Sequence, residues 1–319
     1  MLSSQIKFAI QGQEHIVNVA DVDPNTTLNE YLRHHMSLMG TKRMCYEGGC
    51  GACVVAVTKT GEQKPMAINS CLVSILTCHG WKIDTIEGIG NPVTKYHPIQ
   101  QTLANFNGTQ CGFCSPGMVM NMYALFEKEK PTMAEVENSF GGNICRCTGY
   151  RPILSAFKSL CKDASTDLLG KYPDIEDMLC TKSKKSGVPK RELKVCISKH
   201  PVKVNFKDSQ WTKVYTLKDL LGNLAKIGDD PYMLVAGNSA KGVYKLPTPK
   251  HYIDIIEVKE LISHEVNGDM LRLGGNMSLT NTMDLFNEMA KTNDKFAYLK
   301  TMADHIDLIA NVPVRNVSW

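Results

Sequence analysis

The spacing of apolar residues near the N-terminus predicts a small β-sheet. Ile6, Phe8 and Ile10 alternate with polar neighbours, and the next apolar residues continue the pattern less regularly, so we expect a β-hairpin. Further strands are predicted over 53–58 and 81–86. Thr27 and Glu30 have the spacing of a capping box that opens a helix. These elements indicate a first domain of mixed structure over residues 1–90.

Helical spacing replaces alternation between residues 91 and 165. Residues 99–106 form a short amphipathic stretch, and Ser115-Pro116 predicts an N-cap followed by a first-turn proline. Thr132 and Glu135 form another capping-box pattern, and Pro152 opens the last apolar stretch. Four short helices in a compact bundle are therefore expected in this second domain.

The rest of the chain divides into a polar segment and a third domain. Residues 166–200 are polar and show no periodic spacing of apolar residues, so we interpret them as a linker. Residues 201–319 mix predicted helices (from 217, 278–291, 296–310) with strands (232–236, 252–256, 270–273). The chain of 319 residues is thus expected to be an α+β protein with several domains.

Composition narrows the class of protein. The sequence has 12 cysteines, no secretory signal pattern and no apolar run of the roughly 20 residues that a membrane helix needs. We therefore expect a cytoplasmic protein in which cysteines bind metal rather than form disulfides. The formal charge of +4 is mild, and the basic run 182–185 reads as part of the linker. Neither a nucleic acid nor a membrane is an expected partner.

A first group of cysteines has the spacing of a plant-type ferredoxin. Four residues separate its first two members, two separate the next pair, and the last stands far downstream: Cys45, Cys50, Cys53 and Cys71. Three thiolates from one loop need a backbone that can wrap closely, which the glycines at 48, 49 and 51 allow. The alternative is a structural zinc site, which the isolated Cys71 makes a poor match.

A second group combines a C-x2-C pair with a C-x-C pair thirty residues later: Cys111, Cys114, Cys145 and Cys147. Beside a ferredoxin-type loop, this pattern predicts a second [2Fe–2S] cluster. A redox-active disulfide is the alternative, but no thioredoxin-like βαβ pattern surrounds the first pair. The other cysteines, 78, 161, 180 and 196, have no spacing partners and are interpreted as structural thiols.

Four motifs, CYEGGCGAC, NSCLVSIL, GTQCGFCSPGMVMNMYAL and FGGNICRCTGYRPIL, resemble the N-terminal half of the xanthine dehydrogenase and aldehyde oxidase molybdo-flavoenzymes. The resemblance implies a β-grasp [2Fe–2S] ferredoxin domain, a four-helix [2Fe–2S] domain and the two ligand sets given above. It also implies that the helical-domain cluster lies nearest the molybdenum cofactor, where Gln110 and Cys147 match positions that touch the pterin. Electrons would pass from there to the ferredoxin-type cluster and on to FAD.

Residues 201–319 resemble the family's FAD-binding domain of the PCMH type. The loop matching the one that wraps the FAD diphosphate contributes Leu234, Val235, Ala236, Gly237, Asn238, Ser239, Ala240 and Lys241. Ile309 and Ala310 fall where the family packs against the isoalloxazine and diphosphate. From the residues alone, backbone amides around Gly237 could cradle phosphates, although such a motif also suits an ordinary turn. At 309–310 the alternative is ordinary packing at a helix end.

The resemblance is greater to aldehyde oxidases. It implies the electron-transfer part of an enzyme that oxidises aldehydes or N-heterocycles and passes electrons from molybdenum through iron–sulfur clusters and FAD to O2. Because the chain stops at Trp319, we expect a truncated chain with an incomplete FAD site. The molybdopterin cofactor, the catalytic residues and the small-molecule substrate would belong to a missing C-terminal region, and the full-length form would be a homodimer. The alternatives are a xanthine dehydrogenase fragment, a stand-alone iron–sulfur subunit of a molybdenum hydroxylase and a zinc-stabilised interaction module.

Overall fold

The computed structural model describes residues 5–166, 168, 200–238, 248–309 and 315–316. The predicted linker, 166–200, lies almost wholly outside the described residues. Within the described ranges, no helix has both the length and the apolar character needed to cross a membrane.

The first part of the chain folds into a five-stranded mixed sheet of order β2-β1-β5-β3-β4. Its strands are β1 (Gln5–Ile10), β2 (Gln13–Asn18), β3 (Val54–Thr58), β4 (Met66–Asn69) and β5 (Lys82–Asp84). β1 and β5 run parallel, and the other neighbouring pairs are antiparallel. The β-grasp expectation is confirmed.

Local sequence explains the start of this sheet. The β1–β2 hairpin turns at Gln11-Gly12, both with positive φ (50° and 78°), which suits the twist of a tight hairpin. Helix α1 (Leu28–Glu30) begins with the predicted capping box and continues into a π turn over Tyr31–His35. Apolar residues of this segment, including the fully buried Leu28, cover Phe8 of the sheet.

Four helices follow, as the sequence predicts: α2 (Pro98–Asn105), α3 (Ser115–Lys128), α4 (Met133–Ser139) and α5 (Arg151–Lys158). Their apolar faces meet in one core that includes Met118, Val136 and Phe157. The capping box between Thr132 and Glu135 is present. The predicted N-cap of α3 is wrong by one residue: Cys114 is the cap, and the Ser115 hydroxyl instead hydrogen-bonds to the Thr109 hydroxyl at 2.8 Å.

The third part contains a four-stranded sheet of order β6-β7-β9-β8. Its strands are β6 (Val202–Asn205), β7 (Gln210–Lys213), β8 (Tyr232–Val235) and β9 (His251–Asp254), and α6 (Leu217–Ile227) links β7 to β8. A hairpin of β10 (His264–Asn267) and β11 (Met270–Leu273) follows α7 (Lys259–Ile262). Helices α8 (Leu279–Thr292) and α9 (Leu299–Asp307) pack against each other.

The first and third parts share a hydrophobic core. Trp81 at the start of β5 belongs to the same buried cluster as Trp211, Val235 and Tyr252 of the second sheet. Apolar burial of this kind is the main stabilising contribution to folding, so the two sheets are joined by more than a chain connection. This junction places the end of β8 beside the first cysteine group.

Candidate functional site

The first cysteine group lies in the loop before β3 and just after β4, and its thiols come together in two pairs. The Cys45 thiol lies beside that of Cys50, and the Cys53 thiol beside that of Cys71. Cys71 is also close enough to Cys45 for their charges to interact, so the two pairs are neighbours.

Backbone amides and two neighbouring side chains shape this loop. The Glu47 amide donates to the Cys45 sulfur at 3.4 Å, and the Ala52 amide to the Cys50 sulfur at 3.5 Å. Asn69 donates from its side-chain amide to the Gly48 carbonyl at 3.0 Å. The Ser70 hydroxyl donates to the Cys53 carbonyl at 2.6 Å. The loop that carries Cys45, Cys50 and Cys53 is thus held in place by β4 and the residue that follows it.

Each pair in this group combines one thiol with a lowered pKa and one with a raised pKa. Burial raises the pKa of Cys45, but hydrogen bonds from the Glu47 amide and from Cys50 outweigh it and lower that pKa overall. The hydrogen bond from Cys71 lowers the pKa of Cys53, while the same contact and burial raise the pKa of Cys71. Metal binding must release the remaining protons, because the thiolate is the ligand form.

The second group forms the same arrangement between the start of α3 and the loop before α5. The thiols of Cys111 and Cys147 lie beside each other, as do those of Cys114 and Cys145. The Cys145 sulfur accepts from the Thr148 amide at 3.5 Å, and burial and Cys145 raise the pKa of Cys114 to about 12.

Paired thiols suit a two-iron cluster better than a single metal ion. In an all-cysteine [2Fe–2S] centre, four thiolates are shared between two irons, so each iron binds two protein sulfurs. A structural zinc ion instead requires four donors around one point. All eight cysteines are among the residues that the structure describes. The donor chemistry and the pairing therefore fit two [2Fe–2S] clusters.

The two cysteine loops touch directly. The Ile144 amide, next to Cys145, donates to the Cys50 carbonyl at 2.9 Å. Asn143 donates from its side-chain amide to the Gly51 carbonyl at 3.2 Å and accepts from Asn121 of α3 at 2.8 Å. Helix α3 packs against the same loop at Gly117, where a Cβ would lie 2.0 Å from the Gly51 carbonyl oxygen, so that position needs glycine.

One face of the helical domain remains open around the second cysteine group. Gln110, Cys111 and Cys147 are exposed there, and the large apolar side chains of Phe113 and Ile144 are also exposed. The structure therefore places Gln110 and Cys147 on the same outer face as the second group of thiols.

A cleft of about 610 Å³ lies where the three parts of the chain meet. Leu72 of the first part, Asn121 of α3 and Ser278 at the start of α8 line it, together with Ala236 and Gly237 of the predicted flavin loop. Its volume is within the range of small-molecule and cofactor sites.

The predicted flavin loop is described only in part. Gly237 and Asn238 both have positive φ (73° and 59°), and among the described residues a Cβ on Gly237 would meet only Ile256, at 3.9 Å. That geometry fits a group bound against the main chain. Leu234 is half exposed and Val235 is buried in the sheet. Ser239, Ala240, Lys241 and Ala310 lie outside the described residues.

Ile309 lies at the end of α9, where it is 45% exposed. Its carbonyl accepts from the Arg315 guanidinium at 3.0 Å, and the same guanidinium binds the Asp307 carbonyl at 2.8 Å. Arg315 thus fixes the end of this helix.

Several residues that shape the site were missed in the sequence. Asn69, Asn143 and Gly117 carry no metal-binding chemistry, so cysteine spacing does not reveal them. Neighbouring residues could have indicated two of them, because Asn143 follows two glycines and Gly117 follows a helix-opening proline.

Three domain families match the chain in order. Residues 8–79 match the "2Fe-2S iron-sulfur cluster binding domain", and residues 85–158 match the "[2Fe-2S] binding domain". Residues 205–318 match the "FAD binding domain in molybdopterin dehydrogenase". The chain is therefore an iron–sulfur flavoprotein by its domain content, with two [2Fe–2S]-binding domains and an FAD-binding domain.

Curated relatives give the family. Aldehyde oxidase 1 of Oryctolagus cuniculus is 31% identical over an alignment that covers 98% of this chain and 26% of that protein. Xanthine dehydrogenase of Drosophila pseudoobscura pseudoobscura is 33% identical over 87% of this chain and 23% of that protein. Among solved structures, the aldehyde oxidoreductase from Desulfovibrio gigas is 34% identical, with a TM-score of 0.44 over 53% of this chain and 18% of that one.

The chain is homologous to the N-terminal region of the aldehyde oxidase and xanthine dehydrogenase family. It spans about a quarter of the length of these curated relatives. The expected family, fold class and cofactor classes are confirmed.

Proposed function

We propose that this chain relays single electrons between two [2Fe–2S] clusters and an FAD. Cys45 with Cys50, and Cys53 with Cys71, would hold the two irons of the ferredoxin-type cluster. Cys111 with Cys147, and Cys114 with Cys145, would hold those of the helical-domain cluster. The observation that carries the proposal is this pairing of eight thiols in two adjacent loops. When bound, the clusters supply one-electron chemistry and the flavin supplies exchange between one- and two-electron chemistry.

The contact between the loops supports a direct route between the clusters. From the Cys145 sulfur, a path runs through the main chain to the Ile144 amide, across its 2.9 Å hydrogen bond to the Cys50 carbonyl, and on to the Cys50 sulfur. Its ends are two proposed ligands, and one hydrogen bond is its only non-covalent step. Gly51, Gly117 and Asn143 keep the two loops at this distance.

Gly237 and Asn238 would hold the FAD diphosphate along the turn after β8. Support comes from the positive φ angles, the cleft beside the turn and the family match over residues 205–318. The same cleft is lined by Leu72, the neighbour of Cys71, so a flavin bound there would lie close to the ferredoxin-type cluster. This proposal includes all ten positions assigned to FAD from the sequence, 234–241 and 309–310. It also includes the domain limits 1–90, 91–165, 166–200 and 201–319.

The complete enzyme would be aldehyde oxidase-like, oxidising an aldehyde or N-heterocycle at a molybdopterin cofactor outside this chain. The exposed face with Gln110, Cys111 and Cys147 would meet the region that carries that cofactor. Its exposed apolar side chains, Phe113 and Ile144, support contact with another protein surface. A cytoplasmic homodimer is proposed for the complete enzyme.

A xanthine dehydrogenase is the second candidate. It is favoured by the 33% identity to the Drosophila pseudoobscura pseudoobscura xanthine dehydrogenase, against 31% to the rabbit aldehyde oxidase, although the former alignment covers less of this chain. The relay through the two clusters and the flavin would be the same in either enzyme, so the two candidates differ in the substrate and in the final electron acceptor, O2 or NAD.

Spectroscopy of the anaerobically purified chain tests the relay. We expect a red-brown protein with absorption bands between about 400 and 600 nm and two distinct EPR signals after reduction. A colourless protein that contains zinc would contradict the proposal.

A further inference from the structure

A buried ion pair joins the third part of the chain to the segment that follows Cys71. Lys213, at the end of β7, has a side chain only 1% exposed, and its ammonium lies 2.9 Å from the Glu257 carboxylate. The same ammonium donates to the Thr77 carbonyl at 2.6 Å and lies 3.4 Å from the His79 carbonyl. Both carbonyls belong to the ferredoxin-type domain, so this lysine bridges two domains.

Glu257 holds the same segment from a second point. Its Oε1 atom accepts from the Trp81 indole N–H at 2.7 Å, so one carboxylate oxygen binds both Lys213 and Trp81. The Lys213 ammonium lies 5.3 Å from the centre of the Trp81 ring, and the Lys59 ammonium lies 5.8 Å from it. Lysine, carboxylate and indole thus form one buried unit across the domain junction.

A third contact lies nearer the cysteines. Asn238, after β8, donates from its side-chain amide to the Leu72 carbonyl at 3.2 Å. Leu72 follows Cys71 directly, and Trp81 begins the run into β5. The third part therefore contacts residues 72–81 at both ends and in the middle. These contacts restrict the backbone of 72–81 and with it the position of the Cys71 thiol.

A gain in folding stability does not by itself explain why the Lys213–Glu257 pair is buried. Removing two charges from water is costly, and well-packed apolar residues at such sites are often as stabilising. The second oxygen of Glu257 is buried without a hydrogen-bond partner among the described residues. Unlike apolar residues, the ion pair fixes the orientation of the Thr77 and His79 carbonyls and of the Trp81 indole through hydrogen bonds.

We propose that Lys213 and Glu257 form a positioning latch that fixes residues 72–81, and with them the Cys71 thiol, against the flavin domain. The latch makes the geometry of the ferredoxin-type cluster depend on a domain other than its own. This inference rests on the proposed role of Cys71 as a cluster ligand. Lys213 and Glu257 act through Cys71 and are positioning residues.

The test compares three variants of the full chain. Lys213→Met removes the cation and leaves Glu257 buried without its partner. Lys213→Met/Glu257→Gln removes both charges while the glutamine oxygen can still accept from Trp81. Lys250→Met, which breaks an exposed ion pair with Asp230 on the same sheet, is the matched control.

Two readouts are used: hydrogen exchange of the backbone amides over 72–81, and the EPR signals of the reduced protein. The latch predicts at least tenfold faster exchange over 72–81 and a broadened or shifted ferredoxin-type signal in both Lys213 variants. The helical-domain signal and all properties of Lys250→Met should match the wild type. If Lys213→Met does not fold, the double variant, in which the Glu257 charge is removed together with that of Lys213, decides the result.

Wild-type exchange and an unchanged ferredoxin-type signal in the double variant would overturn the latch and leave the pair a purely structural one. Failure of the proposed function looks different: the wild-type protein itself would lack the two EPR signals. In that case the exchange measurement over 72–81 still decides whether the latch exists.

Discussion

Individual cysteines in this chain differ in ways that spacing alone does not show. Cys78 and Cys161 are buried free thiols, and burial raises the pKa of both, that of Cys161 to about 11. Each of the eight proposed ligands instead has another thiol beside it. A thiol partner, rather than burial, is what distinguishes a candidate ligand from a structural cysteine.

Replacing one ligand should therefore remove one cluster. Cys50→Ser is expected to abolish the ferredoxin-type EPR signal and keep the helical-domain signal, because the second set of thiols is complete without it. Cys161→Ser, whose hydroxyl can keep the bond to the Phe157 carbonyl, is the control and should keep both signals. Loss of both signals in Cys50→Ser would count against two separately assembled clusters.

His79 should make stability depend on pH. Burial, together with the Lys213 charge, lowers its pKa to about 4, and its Nδ1 atom accepts from the Lys7 amide at 3.2 Å. Between pH 6.5 and 4 the unfolded chain binds a proton at this residue and the folded chain does not, so stability falls as pH falls. The slope is at most about 1.4 kcal/mol per pH unit.

His79→Gln should remove this contribution, since glutamine can accept the same hydrogen bond and does not titrate. The measurement is the urea midpoint of wild type and variant at several pH values between 7.5 and 5.5. Subtracting the variant's urea midpoint from that of the wild type at each pH removes the acid sensitivity that both proteins have because of their clusters. Parallel curves would contradict the assignment.

At the scale of elements, the contact between the first cysteine loop and the helical domain depends on two glycines, Gly117 of α3 and Gly51 of the loop itself. Gly51 has a φ of 69°, and a Cβ there would lie 2.3 Å from the Gly142 carbonyl oxygen. Gly49, in the same loop, would place its Cβ in open space and does not have a positive φ. Gly51 is therefore required because another backbone packs against it, whereas Gly49 is not required by packing or by its φ angle.

Gly51→Ala should destabilise the folded protein by more than about 2 kcal/mol, because it combines backbone strain with a clash against another backbone. Gly49→Ala should change stability by less than about 0.5 kcal/mol. The measurement is the urea concentration at which half of the visible absorption is lost. Equal midpoints for the two variants would show that the loops do not pack as described.

At the scale of the whole molecule, sequence patterns reveal what is local and miss what is distant. Cysteine spacing and the capping boxes at Thr27 and Thr132 act over a few residues, so they could be predicted. The Lys213–Glu257 pair joins residues 44 apart, and Lys213 reaches a carbonyl 136 residues away, so no local pattern reveals it. The edge strand β4 was missed because none of its residues is buried, so its sequence shows no strongly apolar face.

The account as a whole depends on eight thiols that share four irons. Analysis of the anaerobically purified chain for iron and acid-labile sulfide tests this most directly. Two [2Fe–2S] clusters predict about four iron atoms and about four sulfides per chain, with no zinc. One or two zinc ions per chain and no labile sulfide would contradict it.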